Sequence, residues 1–135
     1  MIVILCDGSS KGNPGPASIG VVAWDRANNP RLVNPNYRYV IDIGIATNMV
    51  AEWCALLNAM RYACSKDHSQ DIYIFCDSQT VVKQCNGHWR VKHKNIIPLY
   101  EDFKIMKKQL PKLQVQWVPR QLVFLADKAA QQGGK

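Results

Sequence analysis

The sequence predicts an α/β domain: a five-stranded mixed sheet, with strands 1 to 3 antiparallel and strands 4 and 5 parallel, flanked by helices. Three observations carry this. The first 43 residues hold three strand-like runs joined by short connections, as in an antiparallel meander. Helical periodicity then takes over from residue 48. A strongly apolar run, "DIYIFCD" at 71–77, follows that helix, and a strand–helix–strand order favours a crossover that lays the new strand parallel to an earlier one.

The elements follow in order. "MIVILC", 1–6, is continuously apolar, as expected for a central strand buried on both faces. "SIGVVAWD", 18–25, is a second strand, and "YRYVIDI", 37–43, a third, with "RANNP" marking the turn between them. From Asn48 to Cys64, Met49, Trp53, Leu56, Leu57 and Met60 recur at helical spacing, with Thr47 or Asn48 placed to cap the first turn. After the strand at 71–77, a short helix from Ser78 ends near Gly87, a natural C-cap. Residues 88–97 are basic and irregular. Pro98 opens a helix with Leu99, Phe103, Met106 and Leu110 on one stripe, "LQVQWV" at 113–118 alternates as an edge strand stopped by Pro119, and "VFLADKAAQQ" can form a closing helix.

At 135 residues, one domain spanning 1–135 is expected, with room for a single core. Seventeen Lys and Arg against ten Asp and Glu leave a net charge of +7, which points to a polyanionic partner. The five cysteines, at 6, 54, 64, 76 and 85, lack close metal-ligand spacing and sit in apolar or helical stretches, so they read as reduced thiols. The chain opens directly on a strand, with no signal-peptide pattern and no run long enough for a membrane span, so a cytoplasmic, intracellular setting without membrane partners is expected.

Carboxylates stand where chemistry would need them. Asp7 ends the first strand and Asp77 the fourth; if those strands are parallel neighbours, both acids lie at the sheet edge where open α/β sheets bind ligands. Alternation then sends Cys6 and Cys76 to the opposite face. Glu52 lies one turn into the first helix after the small Ala51, and Asp127 sits between Ala126 and Ala129 in the last. Acids gathered without partners repel by several kcal/mol, and divalent cations reverse that sign. Mg²⁺ prefers such hard oxygen donors beside a phosphate-bearing substrate, and two ions roughly 3.5–4 Å apart assist phosphodiester hydrolysis.

The segments "DGSSKGNPGPASIGVV" at 7–22, "TNMVAEWCAL" at 47–56, "IFCDSQTVV" at 74–82 and "WVPRQLVFLADKAA" at 117–130 resemble type I ribonuclease H over essentially the whole chain. The resemblance implies the ribonuclease H-like fold and an endonuclease that cuts the RNA strand of RNA/DNA hybrids to 3′-OH and 5′-phosphate products. Asp7, Glu52, Asp77 and Asp127 then hold two Mg²⁺ ions, with Mn²⁺ as a substitute. It also implies substrate contacts from the Gly-rich loop (Gly8, Ser9, Ser10, Asn13), from Thr47 and Asn48 at the start of the first helix, and from Ser78 and Gln79. RNA is told from DNA by its 2′-hydroxyls, which Asn, Gln and Ser groups suit. Glycines at 8, 12 and 15 would let the backbone approach the nucleic acid; an ordinary hairpin connection would use the same residues.

The chain also departs from that family. Met49 stands where a second Asn is frequent, and "WVPRQLVFLAD" carries no His where many members have one in a loop. Arg120 occupies the comparable region, either contacting the scissile phosphate or solvated at a strand end. "NGHWRVKHKN", 86–95, is too short for the family's longer basic handle but keeps Trp89, Arg90, Lys92 and Lys94; it either grips the DNA strand through phosphates or is a solvated connection with Trp89 in the core. Trp24, Trp53 and Trp117 are assigned to the core. A monomer is expected, since no exposed apolar stripe demands a partner. Two alternatives stay open: a non-cleaving nucleic-acid-binding module of this fold, and a relative that also cleaves double-stranded RNA.

Overall fold

The computed structural model describes residues 1–25 and 35–123. The expected turn at 26–30 lies wholly outside them, as does the closing helix with Asp127 but for Val123. Five strands form one sheet in the order β3-β2-β1-β4-β5: β1 (Ile2–Ser10), β2 (Gly15–Asp25), β3 (Tyr37–Ala46), β4 (Ile72–Cys76) and β5 (Leu113–Trp117). β1 pairs antiparallel with β2 and β2 with β3, whereas β1–β4 and β4–β5 are parallel, as the strand–helix–strand order predicted.

Helix α1 (Asn48–Cys64) crosses one face of the sheet and has the predicted bounds. Its buried side, Ala51, Trp53, Ala55, Leu56, Leu57, Ala59, Met60 and Ala63, packs with Ile2, Ile4, Ile19, Val21, Ile72 and Ile74 into the main core. Small alanines let the helix lie close to the strands, and the large side chains fill the remaining space. Helix α3 (Ile97–Lys107) closes the core at one edge, where Phe103 and Tyr100 meet the Trp53 indole edge-on at 5.9 and 6.0 Å. The short α2 (Gln79–Cys85) follows β4 directly; Asn86 caps it and Gly87 continues at φ +78, the left-handed turn that favours glycine there.

The structure revises four expectations. β1 and β2 extend toward each other beyond the predicted bounds, through Ser9↔Ser18 and Ser10↔Ala17, so the Gly-rich stretch is chiefly hairpin strand with its turn at residues 11–14. β1 is not equally buried on both faces: Ile2 and Ile4 are enclosed beneath α1, while Val3 and Leu5 are half-buried against Val22 and Trp24 on the other side. Trp117 is 43% exposed rather than a core residue: it shares the face of the buried Leu113 and Val115 but is the last residue of the edge strand β5. Trp89 is 47% exposed, which removes the core reading for it; Lys83 Nζ lies 4.9 Å from the centre of its ring.

Candidate functional site

The register of the two central strands decides the site. Ile2 pairs with Ile72 and each following residue with its counterpart up to Leu5↔Phe75, so the same offset sets Asp7 level with Asp77 just past the paired stretch. Asp7 does not end the first strand as expected, because pairing with β2 carries β1 on to Ser10, while Asp77 directly follows β4. Glu52 enters from the first turns of α1. All three acids line one small cavity with Ser78, Val81, Cys6 and Cys76, and its volume of about 10 Å³ admits one water-sized guest.

Gly8 is what brings α1 to this place. A Cβ on Gly8 would overlap the carbonyl group of Ala51 and come within 2.7 Å of Glu52 N. Strand and helix backbones therefore touch one residue past Asp7, at the peptide that carries Glu52. The sequence suggested close approach of nucleic acid at this glycine; the structure gives its missing side chain to helix packing.

Polar side chains tie the hairpin to the same helix end. Thr47 is the N-cap, its Oγ1 accepting from Val50 N–H at 3.2 Å. Asn48, the other capping candidate, is the first helical residue; its N–H donates to Asn13 Oδ1 at 2.9 Å, and its Oδ1 accepts from Ser10 N–H at 3.0 Å. Ser10 Oγ donates to Ala46 O at 2.7 Å. Asn13, Asn48, Ser10 and the Ala46 carbonyl thus form one hydrogen-bonded unit beside the Thr47 cap, while Ser9 continues β1 and Gln79 stands exposed at the start of α2.

Ser78 works twice. Its hydroxyl oxygen accepts from Val81 N–H at 3.3 Å as the N-cap of α2, and the hydroxyl bonds to Glu52. Burial raises the Glu52 pKa above the ordinary carboxylate value; the Ser78 bond opposes this, the Asp77 charge adds to it, and the Arg120 charge opposes it.

Arg120 opens a 3₁₀ turn, Arg120–Val123, just past β5, and its Nη1 donates to Asp77 Oδ2 at 3.1 Å. The guanidinium, 60% exposed just past the strand end, sits on a carboxylate of the site. The Asp77 main chain is held separately, by Trp117 Nε1–H to Asp77 O at 3.0 Å and by Val118 N–H to Cys76 O at 3.0 Å. Sequence reasoning missed this use of Trp117, since alternation sets it in phase with the buried Leu113 and Val115.

Cys6 and Cys76 belong to the core beneath α1, and, expected on the face opposite the acids, they instead border the same cavity as Asp7, Glu52 and Asp77. Their mutual hydrogen bond and burial hold the Cys6 thiol well above the usual range, so it stays neutral. The five cysteines are free thiols.

The donor set suits a hard divalent cation. Three carboxylates border a cavity of one-guest size, and a cationic group already rests on one of them. Among the described residues, no three His, Cys, Asp or Glu groups are gathered tightly enough to chelate an ion. Asp127 lies outside the described residues. No described helix is long and apolar enough to cross a membrane.

A family model described as reverse transcriptase-like matches residues 5–133. The "Bifunctional protein Rv2228c" of Mycobacterium tuberculosis is 36% identical over 129 residues, covering 96% of this chain and 34% of that protein, so the chain spans about a third of that relative. "Ribonuclease HI" of Halobacterium salinarum is 34% identical, with 73% of this chain and 52% of that protein covered. Among solved structures, the N-terminal RNase H domain of Rv2228c superposes with a TM-score of 0.88 at 33% identity, covering 98% of this chain and 92% of that one. LC11-RNase H1 in complex with an RNA/DNA hybrid superposes with a TM-score of 0.88 at 29% identity, covering 98% and 95%. Sheet order, matched length and sequence identity agree, and the chain belongs to the ribonuclease H-like family.

Proposed function

We propose that the protein is a metal-dependent endonuclease that hydrolyses the RNA strand of RNA/DNA hybrids, leaving 3′-OH and 5′-phosphate ends. The observation that carries the reading is the meeting of Asp7, Glu52 and Asp77 at one cavity, where the parallel pairing of two central strands stops. The hybrid bound in the LC11-RNase H1 structure and the activity named for the Halobacterium relative support the substrate.

In this reading Asp7, Glu52, Asp77 and Asp127 hold Mg²⁺, with Mn²⁺ as a substitute. Bound magnesium supplies an activated water and charge stabilisation for the departing oxygen. The chain's own residues do the positioning. Asp7 and Asp77 are carried by hydrogen-bonded strands or their immediate ends, so little motion is left to remove when substrate binds. Ser78 keeps the Glu52 carboxylate turned into the cavity. Asn13, Asn48 and Gln79 face the sugars of the RNA strand as 2′-hydroxyl readers, assisted by Ser9, Ser10 and the Gly8 main chain. Thr47 serves the DNA-phosphate side. The exposed Lys92 and Lys94 beside Trp89 take backbone phosphates electrostatically.

The purified chain is expected to cleave a hybrid duplex with Mg²⁺ as a monomer, and Asp77→Asn to lose at least about a hundredfold in rate, as removal of a group that stabilises transition-state charge does. Hybrid binding without cleavage in the parent protein would establish a binding module instead, and equal cleavage of double-stranded RNA would widen the substrate class.

A further inference from the structure

We infer that Arg120 is a resident counter-ion of the acidic cavity: it occupies Asp77 until a divalent cation arrives, and the affinity for that cation is set against it. The inference rests on the metal-dependent reading above.

The two partners of the 3.1 Å contact are unequal. The Asp77 side chain is 12% exposed and that of Arg120 is 60% exposed, so the carboxylate is the fixed partner and the guanidinium the movable one. Asp77 does not depend on Arg120 for its place, because Trp117 Nε1–H and the Val118–Cys76 backbone bond hold that strand end from β5. The guanidinium charge is also felt at Glu52, where it opposes the repulsion from Asp77. One side chain thus offsets the mutual repulsion of two acids. The Arg120 side chain projects, 60% exposed, from a 3₁₀ turn that ends on the fully buried Val123.

An ion bound to Asp77 would put a second positive charge against the same carboxylate, and the guanidinium must then swing toward solvent. The work of breaking the ion pair is subtracted from ion binding. Such a contact is partly exposed and therefore modest, so removing it should tighten ion binding by about two- to fivefold.

The test is calorimetric titration of the whole chain with Mg²⁺, without nucleic acid, for the parent, Arg120→Gln, Arg120→Lys and Asp77→Asn, with thermal melting of each at zero and saturating Mg²⁺. Arg120→Gln should bind Mg²⁺ about two- to fivefold more tightly, with Arg120→Lys close to the parent. Arg120→Gln should also melt below the parent without metal and draw level with it at saturation; a purely structural role would keep that gap constant. Unchanged or weaker affinity in Arg120→Gln, with binding in the parent that Asp77→Asn abolishes, overturns the counter-ion alone. A parent that binds no Mg²⁺ overturns both this inference and the metal reading beneath it.

Discussion

Replacing Gly8 with alanine tests how the acids are brought together. The new methyl would overlap the Ala51 carbonyl and approach Glu52 N to 2.7 Å, and every atom it meets is main chain. No rotamer change relieves such a clash, so α1 must move away from β1 by roughly 1 Å, carrying Glu52 with it. Forcing extra volume into a packed region costs about 1–3 kcal/mol, which corresponds to a fall of about 5–10 °C in Tm for a domain of this size. The chemical cost is the larger one, since a 1 Å misplacement of a catalytic group can cost about a hundredfold in rate. The assays are thermal unfolding by circular dichroism and cleavage of a hybrid duplex measured well below the variant's Tm. A variant that melts within about 1 °C of the parent and cleaves at the parental rate would refute the claim that strand–helix contact at Gly8 positions Glu52.

Other outcomes follow from the same geometry. Ser78→Ala removes the cap of α2 and the hydroxyl on Glu52, and should cost about 1 kcal/mol in denaturant unfolding together with a loss of kcat. The raised Glu52 pKa means that the folded state binds this proton more tightly than the unfolded state does. Its ionised form therefore costs stability at neutral pH, and the cost is recovered as pH falls through the folded pKa toward the ordinary carboxylate value. Glu52→Gln should stabilise the metal-free protein at pH 7 and remove that rise on acidification, as read by melting across the pH range. Replacing Lys92 and Lys94 together by alanine should weaken hybrid binding and reduce the slope of log K against log salt by about 1–2; an unchanged slope would remove residues 88–95 from the binding surface.

Local signals in the chain matched the fold closely where one period dominated. The bounds of α1 came from the 3.6-residue recurrence of Trp53, Leu56, Leu57 and Met60, and the parallel placement of β4 followed from its position after that helix. Reading was poorer where pairing extends a strand beyond its apolar part. Ser9 and Ser10 have no apolar pattern, yet they pair with β2 because the hairpin continues past the core. Trp117 shows the opposite error. A large aromatic in phase with Leu113 and Val115 suggests burial, but Trp117 is the last residue of β5 and stands 43% exposed, its indole N–H spent on the Asp77 carbonyl.

The same division runs through the site. That Asp7 and Asp77 close the apolar runs of their strands, and that Glu52 lies one turn into a helix, is written in residue order, because strand and helix periods are local; that β1 runs on past Asp7 to Ser10 is not. The match of Asp7 with Asp77, the backbone contact at Gly8 and the seat of Arg120 on Asp77 were decided by tertiary structure. Each joins residues more than forty positions apart, and such distances are set by strand register and by how closely a helix can lie on a sheet. Periodicity can say which face a side chain takes; only packing brings two faces together, and here packing places three like charges around one cavity beside an arginine.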